Sequence, residues 1–321
     1  MKQNNALVSI LIPVYNRRDM AIEAIECALE QDYETIEIIV GDNCSTDGTY
    51  EQLKEKYKKN SKVVLFRNDY NLGPVGNWEQ CLSKAKGTYI KILWSDDLMT
   101  PDYISKAVKM LNDNPSAAFA MSTVKIFSNI SELGPNRINN LQIHYKLKNK
   151  SGVYKGCEFL NASFGCPGKT PVSPGCAIFR KDKLRIIGNI PNNMGYVHKK
   201  NGAGPDVLMF LEALASGEKF IFINEPLSFF RGHADSISTF DKTIMDGYLS
   251  ARLYYLKHHK IEKYWKDLNC AIISCTNRKA IFSKKKNRIA LLKFYPVANE
   301  IIDEPSIIDV LKFKIINKIN S

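Results

Sequence analysis

The sequence predicts an α/β protein with a mostly parallel central sheet, flanking helices and a helical C-terminal tail. Three observations carry that prediction. Short aliphatic, β-branched runs alternate with helix-period segments over roughly the first hundred residues. A fourth strand-like run, Tyr89 to Trp94, leads directly into two adjacent carboxylates, Asp96 and Asp97. From Asp241 onward, apolar and aromatic residues recur at helical spacing among lysines.

The elements follow in order. Val8 to Ile12 reads as a buried strand ended by Pro13, and Asp19 to Gln31 as an amphipathic helix. Ile36 to Val40 is the second strand. The polar loop Gly41 to Gly48 and a helix over Thr49 to Lys58 come next. Val63 to Phe66 is the third strand, followed by a turn-rich loop, Asn68 to Pro74, and a helix over Val75 to Ala85. After Asp97, Thr100-Pro101-Asp102 is a helix start with proline at the first helical position.

Later the rhythm changes. Ala117 to Phe127 is strand-like, 128–151 is polar and rich in Asn and Lys, and Tyr154 to Phe164 suits a helix. A loop over 167–175 precedes a strand, Cys176 to Arg180. The stretch 188–204 is a second long loop of the kind that forms lids or binding loops. Pro205 opens a helix with Asp206 in its first turn. Phe220 to Ile223 is a strand, and Arg231-Gly232-His233 follows it.

Composition sets bounds. The chain has 321 residues, 45% hydrophobic and 24% charged, which is ordinary for a globular protein and enough for one large domain or one and a half. No apolar run approaches a membrane span, and Val8 to Val14, broken by Pro13, is too short for a signal peptide. A cytoplasmic protein is expected. The eight cysteines form no CxxC pair, so reduced thiols are expected rather than disulfides or zinc ligands. A net charge of +12 attracts polyanions such as nucleotide phosphates, anionic lipid or nucleic acid, without choosing among them.

In a parallel sheet the loops after the strands share one edge, and ligands bind there. Pro13-Val14-Tyr15-Asn16, Asp42-Asn43 and Asp96-Asp97 should therefore converge. Paired carboxylates at that edge suit a divalent cation carrying a substrate's phosphates. Asp42 could accept from a base N–H or a ribose hydroxyl, and backbone groups near Val14 and Tyr15 could hold a base. Each has a structural alternative: an Asx turn for Asp42, and caps for Asp97 and Thr100. Asp206 is either a dipole-compensating acid, worth under about 1 kcal/mol on an exposed helix, or a general base at a rigid helix end. His233 is either structural or free to reach a metal or phosphate.

Two tempting motifs fail. Gly165-Cys166-Pro167-Gly168-Lys169-Thr170 lacks the first glycine of a P-loop, because Ser163 stands there, and Pro171 would obstruct the next helix. Gly73-Pro74-Val75-Gly76 lacks dinucleotide-fingerprint spacing, and Pro74 removes an N–H.

The ordered set of motifs resembles the family 2 glycosyltransferases. The matching pieces are Val8 to Asn16, Ile38 to Thr49, Asn71-Leu72-Gly73, Ala85 to Ile90, Ser95-Asp96-Asp97 and, more loosely, Pro205-Asp206 through Arg231-Gly232-His233. They cover about three quarters of the chain. The resemblance implies the GT-A fold and an inverting, non-processive enzyme using a nucleotide-activated sugar, most often a UDP-sugar, with Mn2+ or Mg2+. Residues 1–125 would form the nucleotide-sugar half of the domain, 126–240 the acceptor-binding and catalytic half, and 241–321 a basic amphipathic tail. Asp206 would be the catalytic base. Pro13, Val14, Tyr15, Asn16, Asp42, Asn71, Gly73 and Asp96 would form the donor site, with Asp97 and His233 at the metal. Arg17, Arg18 and Arg67 are candidates to offset charge growing on the diphosphate. Two departures stand out: Trp94 where many members have Asp, and Pro205 where many have Glu. The Gln-x-x-Arg-Trp signature of processive synthases is absent.

The expected function is transfer of one sugar to a glycan or lipid-linked glycan acceptor in bacterial-type surface polysaccharide assembly. A sugar-nucleotide-forming nucleotidyltransferase would need a Gly- and Arg-rich loop after the first strand, which Pro13-Val14-Tyr15-Asn16 is not. A basic nucleic-acid-binding module fits poorly with an acidic sheet edge, so no nucleic-acid partner is expected. The basic, aromatic tail, including Lys284-Lys285-Lys286-Asn287-Arg288 and Ile289 to Leu292, suits either packing on the domain or a second subunit, or contact with the inner face of an anionic membrane.

Overall fold

A computed structural model describes residues 6–133, 140–165, 170–191, 198–233, 244–276, 306 and 309–314. Four parallel strands open the chain: β1 (Val8–Val14), β2 (Ile36–Asp42), β3 (Val63–Arg67) and β4 (Tyr89–Ile92). Helices α1 (Arg18–Leu29), α2 (Thr49–Tyr57) and α3 (Gly73–Lys84) make the crossovers. β1 lies between β2 and β4, and its register sets Val14 beside Asp42, so the two loop starts are level.

β1 shows why its sequence reads as an unbroken apolar run. Val8, Ile10 and Ile12 pack into the core on one sheet face, with Ala21 and Ile25 of α1, while Leu11 packs into the core on the other with Val75 of α3. Both faces are covered, so polar alternation is lost.

The second part of the chain completes the same sheet. Its elements are β5 (Leu98–Met99), α4 (Tyr103–Asp113), β6 (Ala117–Phe127), β7 (Ile143–Tyr145), β8 (Gly152–Lys155) and α5 (Gly156–Gly165). Then come β9 (Ala177–Arg180), α6 (His198–Asn201), α7 (Pro205–Ala213) and β10 (Lys219–Arg231). The strand order is β3-β2-β1-β4-β9-β6-β10-β5, with β7 on β6 and β8 on β10. β9 runs antiparallel between β4 and β6, so the sheet is mixed beyond its first four strands.

Several elements differ from the sequence expectation. The strand expected over Phe220 to Ile223 extends to Arg231, with register shifts around Pro226 where the missing N–H breaks the ladder. Leu98-Met99 forms a short strand against Phe229 and Ser228. A strand occupies 152–155, ahead of the helix expected from Tyr154.

The tail is helical where it is described, as expected. Helices α8 (Ile244–His258) and α9 (Trp265–Thr276) send Leu249, Leu253, Tyr255, Leu256, Trp265 and Leu268 into the main core. Its described apolar stripe therefore packs on the domain. The basic stretch Lys284 to Arg288, Ile289 to Leu292 and the center of the P-loop-like segment, 166–169, lie outside the described residues. No helix among the described residues is long and apolar enough to cross a membrane.

Candidate active site

The sheet edge forms as the crossovers require, but its motif residues divide into two ranks. The first rank holds loops. Asn16 adopts φ +50°, a left-handed conformation that Asn tolerates better than most residues. Its N–H donates to Ser45 Oγ at 2.9 Å, and its Oδ1 accepts from the Thr46 N–H at 2.8 Å. Asn16 thus stitches the β1 loop to the β2 loop. Asp42 is fully buried and does not line the cleft. Its Oδ2 accepts the Ser45 N–H at 3.0 Å, the turn-closing role set beside base recognition above, and Arg67 Nε lies 3.6 Å away. Its Oδ1 is buried with no hydrogen-bond partner among the described residues.

Asn43 joins β2 to the start of α3. Its Oδ1 accepts from the Leu72 N–H and from Asn68 Nδ2, each at 3.0 Å. Its Nδ2 donates to Asn71 Oδ1 at 2.8 Å and to the Gly73 carbonyl at 3.1 Å. Asn71 Oδ1 also accepts from the Gly73 N–H at 2.8 Å. Gly73 has φ +72°, which a side chain would strain. Asn77 closes the network, donating to the Gly41 carbonyl at 2.8 Å and accepting from Asn68 at 3.0 Å.

The second rank faces a cleft of about 960 Å³, within the range of small-molecule sites. Pro13, Val14, Tyr15, Asn71, Gly73 and Asp96 line it, as do Asp97, Asp206 and His233. Asp96 Oδ2 is ion-paired with Arg17 Nη1 and lies 3.0 Å from His233 Nε2. Asp97 Oδ1 accepts the Arg231 N–H at 2.9 Å, and Arg231 Nε donates to the Asp96 carbonyl at 2.9 Å. Arg231 in turn pairs with Glu23 of α1 and lies over the Phe127 ring, 4.6 Å from its centroid. Burial, and then the neighboring Asp96 charge, hold the Asp97 carboxyl well above the usual carboxylate range. Below the cleft floor, Lys91 is wholly buried. It donates to the Gly175 carbonyl and lies 4.7 Å from the Tyr103 ring centroid. Burial lowers its pKa to about 8.

Three arginines were candidates for the diphosphate, and the fold separates them. Arg17 reaches Asp96 and lines the cleft. Arg18 pairs with its neighbor Asp19 at the surface, and Arg67 pairs with Glu51 and Asp42.

Asp206 enters from the other half of the chain. Gly202 and Gly204, at φ +80° and +106°, turn the backbone into α7. Asp206 Oδ1 accepts the N–H groups of Gly204 at 2.8 Å and Val207 at 2.7 Å, and Oδ2 accepts the Tyr248 hydroxyl at 3.3 Å. Burial nevertheless wins and raises its pKa to about 7. His198 of α6 braces the turn: its Nδ1 is 2.9 Å from the Ala203 carbonyl and its Nε2 is 3.2 Å from Ser250 Oγ of α8.

Among the described residues, no group of three His, Cys, Asp or Glu side chains is set to hold a metal ion. What the site offers is the buried Asp97 carboxylate beside Asp96, and the His233 Nδ1, buried with no hydrogen-bond partner among the described residues. Carboxylate oxygens suit Mn2+ or Mg2+ when substrate phosphates complete the shell, whereas an imidazole nitrogen suits Mn2+ better than the harder Mg2+. The donor set therefore fits such an ion in part.

Sequence reasoning did not select Trp78, Tyr145, Phe230 or Tyr248 for the cleft. They come from α3, β7, β10 and α8, and nothing local in the sequence brings them together.

An α/β sheet with paired carboxylates at its edge, and a buried acid at a helix start beside the same cleft, has the layout of a GT-A-type glycosyltransferase. Residues 9–188, more than half of the chain, match the family model for glycosyl transferase family 2, and the chain belongs to that family. The UDP-Glc:alpha-D-GlcNAc-diphosphoundecaprenol beta-1,3-glucosyltransferase WfaP of Escherichia coli is 29% identical over 259 residues, 79% of this chain and 90% of that protein. Among solved structures, S. aureus TarS 1–349 in complex with UDP-GlcNAc has the same fold: TM-score 0.58, 15% identity, 97% of this chain and 90% of that one covered. The mannosyltransferase PcManGT of Pyrobaculum calidifontis, in complex with GDP-Man and Mn2+, aligns with TM-score 0.52 and 15% identity over 98% of this chain and 88% of that one.

Proposed function

We propose that this glycosyltransferase moves one hexosyl or N-acetylhexosaminyl unit from a nucleotide-diphosphate sugar, foremost a UDP-sugar, to an acceptor hydroxyl with inversion. The acceptor is a glycan, presented on a lipid as for WfaP, in bacterial surface polysaccharide assembly. The observation that carries this reading is Asp206: a cleft-lining carboxylate whose proton affinity lies near neutrality, sharing one cleft with Asp96 and Asp97.

Asp206 takes the acceptor hydroxyl's proton as that oxygen bonds to the anomeric carbon and the bond from that carbon to the diphosphate breaks. A base with a pKa near the working pH is the efficient one. Its two backbone N–H contacts fix the carboxylate before the acceptor arrives. Arg17 and His233 hold positive or hydrogen-bonding groups where negative charge grows on the leaving diphosphate. Asp96 orients both and offers its remaining capacity to the ribose or the sugar. Pro13, Val14 and Tyr15 border the nucleobase, and Asp42, buried away from the cleft, shapes the loop beside them through its turn onto Ser45. Asp97 would hold Mn2+ or Mg2+ with His233 beside it, and the ion would supply Lewis-acid stabilization of the diphosphate. A lipid-linked acceptor would bring the protein to the cytoplasmic face of the membrane.

Thermal unfolding with UDP, GDP, dTDP and CDP, each with and without Mn2+, tests the donor site. Ligand at about 100 times its Kd adds roughly 2.7 kcal/mol of stability. A metal-dependent shift with one nucleotide, lost in Asp97→Asn, is expected. Absence of a shift with every nucleotide would sink the reading.

A further inference from the structure

An aromatic pair borders both the core and the cleft: Trp78 belongs to the main core, Trp94 packs against it, and both line the cleft. Trp94, where many family members have Asp, lies at the start of the loop that carries Asp96-Asp97 from β4 to β5, and Trp78 comes from α3. Their ring centroids are 4.9 Å apart at 43°. Trp78 is buried and Trp94 half-buried, and both line the cleft with Asp96, Asp97 and Asp206. Trp94 Nε1–H donates to Ser173 Oγ at 2.7 Å, so the indole's one polar group is satisfied away from any ligand and its orientation is fixed. Two glycines permit the arrangement. A Cβ at Gly175 would lie 3.0 Å from Trp94, and one at Gly202 would lie 2.4 Å from Trp78. Gly202 belongs to the turn that delivers Asp206, so the pair links the nucleotide-side loops to the base.

We propose that Trp94, backed by Trp78, is the stacking floor for the donor's hexopyranose ring. A pyranose has an apolar face of C–H groups and a rim of hydroxyls. The floor offers an apolar indole face, and the rim around it offers Asp96, Asp97, Asp206 and Ser173. Trp94 lines the cleft two residues before Asp96, beside the donor-side carboxylates, so the ring it takes is the donor's. An indole in place of a carboxylate exchanges a hydrogen bond to one hydroxyl for contact with a whole ring face. Sugar selection then depends on ring-face shape more than on one hydroxyl's position.

This inference rests on the nucleotide-sugar reading, and its test separates the two. Equilibrium binding of UDP, UDP-glucose and UDP-GlcNAc is measured for the wild-type chain, Trp94→Leu and Trp94→Phe by calorimetry. In the wild type, tryptophan emission is followed as well. The expected result is unchanged UDP affinity in Trp94→Leu, with the extra affinity conferred by the sugar reduced by roughly 2- to 12-fold, the range for an aromatic contact. Trp94→Phe retains part of that gain. Wild-type emission shifts to the blue with the sugar nucleotide beyond the shift with UDP, because the ring excludes water from the indole. If Trp94→Leu binds UDP normally and keeps the full sugar gain, the stacking floor is refuted while the nucleotide site stands. If UDP and both sugar nucleotides fail to bind the wild type, the UDP-sugar reading falls and the floor falls with it. Should Trp94→Leu not fold, an absent sugar-specific blue shift in the wild type overturns the proposal by itself.

Discussion

Replacing Asp206 by Asn should make the protein more stable and the enzyme far worse. Asp206 is 8% exposed, and burial raises its pKa from 3.8 to about 7 although three donors face it. A carboxyl whose folded pKa exceeds its unfolded one contributes stability while protonated, and that contribution is lost as pH rises from about 4 through about 7. Three pKa units at about 1.36 kcal/mol each set an upper bound of roughly 4 kcal/mol on the cost of ionizing it at pH 8. Asn carries no such cost. Its Oδ1 can keep the Gly204 and Val207 N–H bonds, and its Nδ2 can donate to the Tyr248 oxygen. Thermal unfolding of Asp206→Asn against the wild type should therefore show little difference near pH 4.5 and a gain of roughly 5 °C at pH 8. Donor turnover should fall by about 10²–10⁴-fold, the usual loss for a general base. In the wild type, kcat/KM should rise with pH to a plateau with a midpoint near 7. A variant less stable than the wild type at pH 8, or a stability difference that does not grow between pH 4.5 and 8, would refute the reasoning.

Two further outcomes follow from the same contacts. Tyr248→Phe removes a donor that favors the Asp206 carboxylate, so the acidic limb of the pH–rate profile should move upward while the rate at pH 9 stays close to that of the wild type; an unmoved limb would show that the hydroxyl does not tune the base. Gly41→Ala places a Cβ 2.5 Å from Cys81 Sγ, 2.7 Å from Phe66 Cζ and 2.9 Å from Asn77 Oδ1, and should cost about 1–3 kcal/mol in denaturant unfolding through overpacking.

The first half of the fold is legible because its signals are local. Each strand of the parallel set is a short aliphatic run, each helix repeats its apolar face, and crossover rules then fix the common edge. Legibility fades where pairing is distant. β10 is thirteen residues long, yet Pro226 sits inside it, and pairing with the distant β6, and with β5 and β8, holds the extended strand together. β9 is four residues inserted antiparallel between β4 and β6, a placement that no periodicity encodes. In the site, Asp96, Asp97, Asp206 and His233 could be named from motif order, and the fold brings all four to the cleft. Tyr248 could not, because its hydroxyl meets Asp206 from 42 residues away, on a helix whose sequence reads only as apolar packing.

The motif residues also show why a matched motif is not a list of ligand contacts. Asn16, Asn43 and Asn71 hydrogen-bond to neighboring loops, and Asp42 closes its own turn through Oδ2. A buried polar group left without its partner costs about 1–3 kcal/mol, so such a network defines one loop geometry sharply. The acidic edge is assembled in the same way from distant segments. Arg231, at the end of β10, donates from its backbone to Asp97 and from its side chain to the Asp96 carbonyl, while pairing with Glu23 of α1. Asp97 therefore acquires its position only when β10 has docked beside β6 and α1 has packed on the sheet. At the site the dependence runs one way: the later part of the chain supplies hydrogen bonds that hold Asp97 in place, whereas Asp206 takes its own donors from Gly204, Val207 and Tyr248.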